Sequence, residues 1–169
     1  MMTLAGVLFL SLIFFAIAGA LRGLSKEMLV TTSVLVAILV NILLERYAPS
    51  LQPLVQANDQ RWFWVRSLIL LVVAFLGYQT PRFFRPHSRS VLQDVLLGLF
   101  LGAINGYLIV GTLWYYLSVA GYPWPEFVRA PTDPLSIQIA QHLPPVYLGV
   151  PAIYIAVAVM LILLIAFIV

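Results

Sequence analysis

Apolar residues form five long stretches along this chain, and shorter connections between them hold most of the polar residues. At about 1.5 Å per helical residue, each stretch covers about 25 Å or more, close to the roughly 30 Å hydrocarbon core of a bilayer. The pattern therefore predicts five membrane-spanning helices, over Thr3–Leu21, Met28–Leu44, Trp62–Gln79, Val91–Val119 and Val146–Val169.

A shorter periodic pattern lies between the fourth and fifth stretches. Asp133 is suited to cap a helix, and Pro134 is suited to its first position. Apolar residues then recur at positions i, i+4 and i+8, namely Leu135, Ile139 and Leu143. We expect a short amphipathic helix over residues 133–143 that lies on the outer membrane surface.

The composition supports the same fold class. The 169 residues are 63% hydrophobic and 9% charged, whereas soluble domains carry about 25% charged residues. With a mean hydropathy of +1.04, a soluble fold is excluded. We predict an all-α membrane protein, a helical bundle of five transmembrane spans in a single domain over residues 1–169. The chain has no cysteine for a disulfide or a thiolate metal site, and we predict no metal, cofactor or catalytic residue.

The basic residues bear on partners and on orientation. Nine Lys and Arg residues are scattered singly between apolar runs, so we expect no nucleic-acid partner. Five of them fall in the first and third connections and four fall elsewhere, while all four tryptophans lie toward the opposite side. The excess of basic residues predicts an N-terminus outside and a C-terminus inside, with the tryptophans at the outer interface. The expected partners are the lipid bilayer and either other membrane-protein subunits or a second copy of the chain.

Three glycines fall at every fourth position of the fourth stretch, at Gly98, Gly102 and Gly106. They form one side-chain-free line along a helix, which in lipid favours close packing of two backbones. Ser33, Ala37 and Asn41 share one face of the second span, and we expect this face to pack on the glycines. Asn105 is expected at a similar depth to Asn41, so the two amides are predicted to contact each other.

Two motifs carry a resemblance to a known family. The first is the turn Arg22-Gly23-Leu24-Ser25-Lys26-Glu27 after Gly19, and the second is Asp94 followed by the three glycines. Both resemble the colicin V production protein family, small membrane proteins with four core helices, over about residues 3–145. Val95 and Asn105 stand where that family commonly has arginines, and the fifth span has no counterpart in its pattern.

The residues of the first turn have ordinary structural interpretations. Gly23 permits a tight connection, Arg22 and Lys26 favour the predicted orientation, and Glu27 suits the start of the second helix. Asp94 is expected to pair with a loop arginine. The alternatives are a lipid-headgroup or partner site at the turn, an ion or substrate path at Asn105, and proton coupling at Asp94.

The family resemblance implies an inner-membrane protein without enzymatic activity. Its expected role is export support, colicin V production or envelope homeostasis, carried out through helix packing. Two other hypotheses remain open from the sequence. One is an accessory subunit of a larger respiratory or photosynthetic membrane complex, and the other is a small transporter or channel.

Overall fold

The fold was determined as a computed structural model, which describes residues 3–51, 53, 60–79 and 90–168. In this part of the chain all regular structure is helical, so the predicted all-α class is confirmed. The helices are α1 (Leu4–Arg22), α2 (Leu24–Tyr47), α3 (Gln60–Gln79), α4 (Val91–Val119), α5 (Pro134–Ala140), α6 (Pro144–Tyr147) and α7 (Ala152–Ile168), with a 3₁₀ turn at Pro49–Leu51.

The helix ends follow from local chemistry. The Thr3 side chain accepts a hydrogen bond from the Gly6 backbone N–H at the start of α1, and Ser90 does the same for Gln93 at the start of α4. Gly23 separates α1 from α2 with φ +80°, a left-handed conformation that glycine adopts without steric cost. One residue therefore reverses the chain between two spans.

The short helix α5 forms where the sequence pattern predicts it, but it is shorter. Asp133 accepts a hydrogen bond from the Ser136 N–H at 2.9 Å, and this bond holds the pKa of the Asp133 carboxyl below its usual range. The helix ends at Ala140. Leu143 lies outside it, is fully buried, and packs with Leu8 and Trp114. The amphipathic pattern thus extends past the helix because its last apolar residue enters the bundle.

The predicted fifth span is not one continuous helix. Its first residues form α6, and α7 begins only at Ala152, with a bend of 68° between the two parts. The break contains Gly149 and Pro151. Proline has no N–H to donate and its ring collides with the preceding helical turn, so it ends a helix and permits a new start. The predicted stretch Val146–Val169 is therefore divided between the end of α6 and α7.

Helix α2 lies at the centre of the bundle and contacts α1, α3, α4 and α7. Its residues Val30, Val34 and Ile38 are almost completely buried, together with Leu70 of α3 and Ile153 of α7. Helix α1 packs mainly against α4. The outer faces of α1, α3 and α7 expose large apolar side chains, as expected for a surface covered by lipid.

Four of the described helices, α1 to α4, are long and apolar enough to cross a membrane, and a fifth crossing results if the bent α5–α7 segment counts as one span. The chain is thus a multi-pass helical membrane protein. Its two ends are named here by their residues: the Arg22 end contains Arg22, Gly23 and Asp94, and the tryptophan end contains Trp62, Trp64 and Trp124.

Candidate functional site

The glycines of α4 lie against α1. A Cβ atom at Gly102 would be 2.9 Å from the Cα of Gly19 and still closer to the Phe15 carbonyl oxygen. A Cβ at Gly19 would in turn lie 2.8 Å from the Cα of Gly102, and one at Gly98 would meet the Gly19 carbonyl and the Cα of Gly23. Since real Cβ atoms do not approach backbone this closely, only glycine fits at these three positions.

The partner of the glycine line differs from the prediction. We expected the face of Ser33, Ala37 and Asn41 on α2, but α1 occupies that place. Ser33 instead faces Gly77 of α3, where an added Cβ would lie 2.8 Å from the Ser33 Cβ. Ala37 is completely buried in the central core. Both α1 and α2 pack on α4, and the spacing of small residues did not distinguish between them.

Gly106, the last of the three glycines, has a looser contact. A Cβ there would meet the Phe15 side chain at 2.9 Å rather than a backbone atom. The two helices are therefore closest at Gly98 and Gly102, toward the Arg22 end. They lie further apart at Gly106, toward the tryptophan end.

The motif turn is held by Asp94. Its Oδ1 accepts a hydrogen bond of 3.0 Å from the Leu24 backbone N–H at the start of α2. The same carboxylate fills the space beside Gly23, where a Cβ would collide with it. Asp94 therefore acts in the described structure as a capping group for a different helix. The expected pairing with Arg82, Arg85 or Arg89 falls outside the described residues.

A buried polar cluster lies directly below this turn. Glu27 is 1% exposed, and one of its carboxylate oxygens lies 3.3 Å from Arg22 Nη1. The other accepts a hydrogen bond of 2.8 Å from the Asn105 amide, which also donates to the Glu27 backbone carbonyl at 3.1 Å. The Thr31 hydroxyl lies 2.7 Å from the Asn105 side-chain oxygen. Three helices are joined here by one set of polar contacts.

Arg22 extends the cluster to α3. Its Nη2 donates to the Tyr78 backbone carbonyl at 3.1 Å, and its guanidinium carbon lies 4.2 Å from the centre of the Tyr78 ring. The side chain remains 23% exposed. Lys26, the other basic residue of the motif, is exposed in the first turn of α2.

One expectation for this cluster is wrong. Asn41 and Asn105 do not hydrogen-bond to each other, because Asn105 binds Glu27 while the Asn41 amide donates to the Arg66 carbonyl and the Tyr116 hydroxyl. Glu27 also does more than complement a helix dipole, since it is buried and bonded to α4. Two residues at the same depth in parallel spans can point to different sides of their helices, so equal depth does not predict a contact.

A second polar cluster at the tryptophan end was missed in the sequence. Arg66 is almost fully buried, forms an ion pair with Glu45, and stacks between the rings of Trp62 and Tyr116 at 5.1 and 5.2 Å. Its position inside an apolar span was the available signal, because an arginine there requires a partner. The count of basic residues for orientation instead placed it at a helix edge, on the side opposite the first and third connections.

These arrangements place the motif residues in structural contacts. Among the described residues, no group of three or more His, Asp or Glu side chains is arranged to hold a metal ion. The capping bond at Leu24 and the bonds of Glu27 and Asn105 instead connect α1, α2 and α4 at one end of the bundle. This site therefore joins helices to one another through polar contacts.

Comparison with known proteins identifies the family of the chain. The family model described as colicin V production protein matches residues 4–132, which include both motifs and the helices α1 to α4. Searches of curated proteins and of solved structures give no match. Because the family model covers most of the chain, this protein belongs to the colicin V production protein family.

Proposed function

We propose that this protein is a non-enzymatic membrane component that supports export, including colicin V production, or maintains the bacterial envelope. Its action would depend on the assembled helical bundle rather than on a reaction. The observation that carries the proposal is the contact between the family motifs: Asp94 caps the turn that contains Gly23, and Glu27 of that turn binds Asn105 of the glycine helix.

The location follows from the same proposal. A multi-pass protein that supports export would lie in the inner membrane, with the more basic Arg22 end in the cytoplasm and the tryptophan end outside. Helix–helix contacts on the exposed apolar faces would then connect it to other membrane proteins or to a second copy. These faces belong to α1, α3, α7 and the first half of α4.

The experiment compares two substitutions at Asp94 in a strain that makes colicin V and lacks its own family member. Asp94→Asn keeps an oxygen that can accept the Leu24 N–H bond but removes the carboxylate charge. Asp94→Leu removes the acceptor as well. We expect the wild type and Asp94→Asn to restore colicin V secretion and resistance to detergent, and Asp94→Leu to restore less of both.

The protein level in the membrane is measured in each strain, so that loss of function is separated from loss of the protein. Failure of Asp94→Asn at a normal protein level would mean that the carboxylate itself carries protons or ions, which contradicts a purely structural role. If the wild type restores neither secretion nor envelope resistance, the proposed function is wrong.

A further inference from the structure

A cleft runs between α1 and α3, along the face of α4 to which both helices pack. Two cavities of about 570 and 410 Å³ form it, and Leu71 lines both. The first lies toward the tryptophan end, and the second extends from Leu71 to Tyr78, toward the Arg22 end. Both volumes fall in the range of about 300–1,000 Å³ that is typical of ligand sites. We call this feature the α1–α3 cleft.

The walls of the cleft are almost entirely apolar. The second cavity is lined by Phe15 of α1, Ile109 of α4 and five residues of α3, namely Leu71, Val72, Ala74, Phe75 and Tyr78. Leu71, Val72 and Phe75 are each close to half exposed, so this cavity opens on the side that faces the bilayer. A flexible hydrocarbon chain matches such a surface.

The Arg22 guanidinium, a cation, lies at the Arg22 end of the cleft. The guanidinium of Arg22 stacks on the Tyr78 ring that forms the cavity wall, and Lys26 is exposed in the first turn of α2, just after the chain reversal at Gly23. Arg22 Nη1 is buried against Glu27 and Nη2 donates to the Tyr78 carbonyl, but the side chain is 23% exposed, so part of it faces outward. Both connections at this end carry more basic than acidic residues in the sequence, which attracts anionic headgroups.

We propose that the α1–α3 cleft binds one anionic phospholipid, with an acyl chain in the cavity between Leu71 and Tyr78 and its phosphate beside Arg22 and Lys26. Neither cavity has a cation among its lining residues, but Arg22 contacts the Tyr78 ring in the wall of the second, whereas the first has tryptophan rings in its wall. The polarity of the site therefore selects a lipid from the leaflet at the Arg22 end.

A helix from a second copy is the competing occupant. Two packed helices lie about 8–10 Å apart and meet through ridges and grooves along their whole length. The cleft instead offers two open cavities that share Leu71 in their walls, with a charge at one end. A lipid with an apolar acyl chain and an anionic headgroup fits an apolar cavity that has a cation at one end.

The test uses the full-length protein in mild detergent, with phosphatidylglycerol and phosphatidylcholine of identical acyl chains as probes. Native mass spectrometry counts the bound lipids, and thermal unfolding is followed at several lipid concentrations. We expect one tightly held phosphatidylglycerol per chain, weaker binding of phosphatidylcholine, and a higher melting temperature with phosphatidylglycerol.

Two substitutions locate the site. Leu71→Trp adds a large side chain at the residue that lines both cavities, and it should abolish tight binding of the phospholipid. Leu68→Trp places the same side chain on an exposed part of α3 outside both cavities, and it should leave that binding unchanged. Lys26→Gln should lower phosphatidylglycerol affinity about fivefold, the usual effect of one basic residue near an anionic surface. Arg46→Gln, at the other end of α2, is its control.

Equal binding of the two lipids, or undiminished phosphatidylglycerol binding by Leu71→Trp, would overturn the proposal. A dimer that dissociates in Leu71→Trp without loss of a lipid would identify the cleft as a protein interface instead. Each variant is also checked for the wild-type melting temperature in lipid-free detergent, so that a misfolded protein is recognised.

Discussion

At the scale of single residues, Gly102 lies in the close contact between the backbones of α1 and α4. Its hydrogen atom takes the place of a side chain that would overlap the Phe15 carbonyl oxygen and the Gly19 backbone. In lipid, such backbone contacts and the buried hydrogen bonds of Glu27 and Asn105 replace the hydrophobic driving force of a soluble core. Single atoms at these positions therefore determine how the helices fit together.

The first residue-scale prediction is that Gly102→Leu destabilises the bundle. Leu is compatible with lipid, so any effect must come from the contact with α1, and overpacking of this kind costs about 1–3 kcal/mol. The measurement is the thermal unfolding of the purified protein in detergent. Ala158→Leu adds the same side chain at an exposed position of α7 and should melt like the wild type. Equal melting temperatures for all three proteins would show that α1 does not pack on the glycines.

At the scale of elements, α7 differs from the other long helices. It packs on α2 through Ile153 and Val157, and much of the remaining surface exposes large apolar side chains. It also lies beyond residues 4–132, which the family model covers. The helices α1 to α4 contain both motifs and the polar contacts between them, whereas α7 adds to the apolar core from one side.

We therefore expect that removal of residues 152–169 leaves α1 to α4 inserted in the membrane. The face of α2 that α7 covers is apolar where Ile153 and Val157 pack, so lipid can replace the lost helix at a moderate cost in stability. The measurement is membrane fractionation and alkaline extraction of the truncated protein, followed by thermal unfolding. A truncated protein that no longer inserts would show that α7 belongs to the essential core.

At the scale of the whole molecule, the bundle is asymmetric from end to end. The Arg22 end holds the capped turn and its buried ion pair, and the tryptophan end brings the rings of Trp64 and Trp124 to 5.4 Å from each other. Aromatic residues are enriched at membrane interfaces, and basic residues are enriched on the cytoplasmic side. This asymmetry predicts one orientation for the whole chain.

Cysteine labelling tests that orientation. Gln93→Cys at the Arg22 end and Gln141→Cys at the other end both replace exposed residues of a chain that has no cysteine of its own. In intact cells, an impermeant thiol reagent should label Gln141→Cys and leave Gln93→Cys unlabelled until the membrane is permeabilised. The reverse pattern would place the N-terminus inside.

Much of the fold could be predicted from the sequence because the bilayer imposes simple local rules. Long apolar runs identified α1 to α4, since every backbone group in lipid must be satisfied within a helix. The turn at Gly23 and the cap at Asp133 were recognised from residue type. The break at Pro151 also had a local signal, but the apolar run that continues across it concealed the break.

The pairing of helices was decided only by the tertiary structure. Small residues mark α4 as a packing helix, yet nothing in their spacing states whether α1 or α2 will meet them. The buried Asn105 amide required a hydrogen-bond partner whichever helix packed on α4. The rotation of the helices about their axes selected Glu27 rather than Asn41 as that partner. The sequence by itself determined which segments span and which residues need contacts. Which residues provide those contacts was decided by the tertiary structure. The distances between segments far apart in the chain depend on how all the helices pack together.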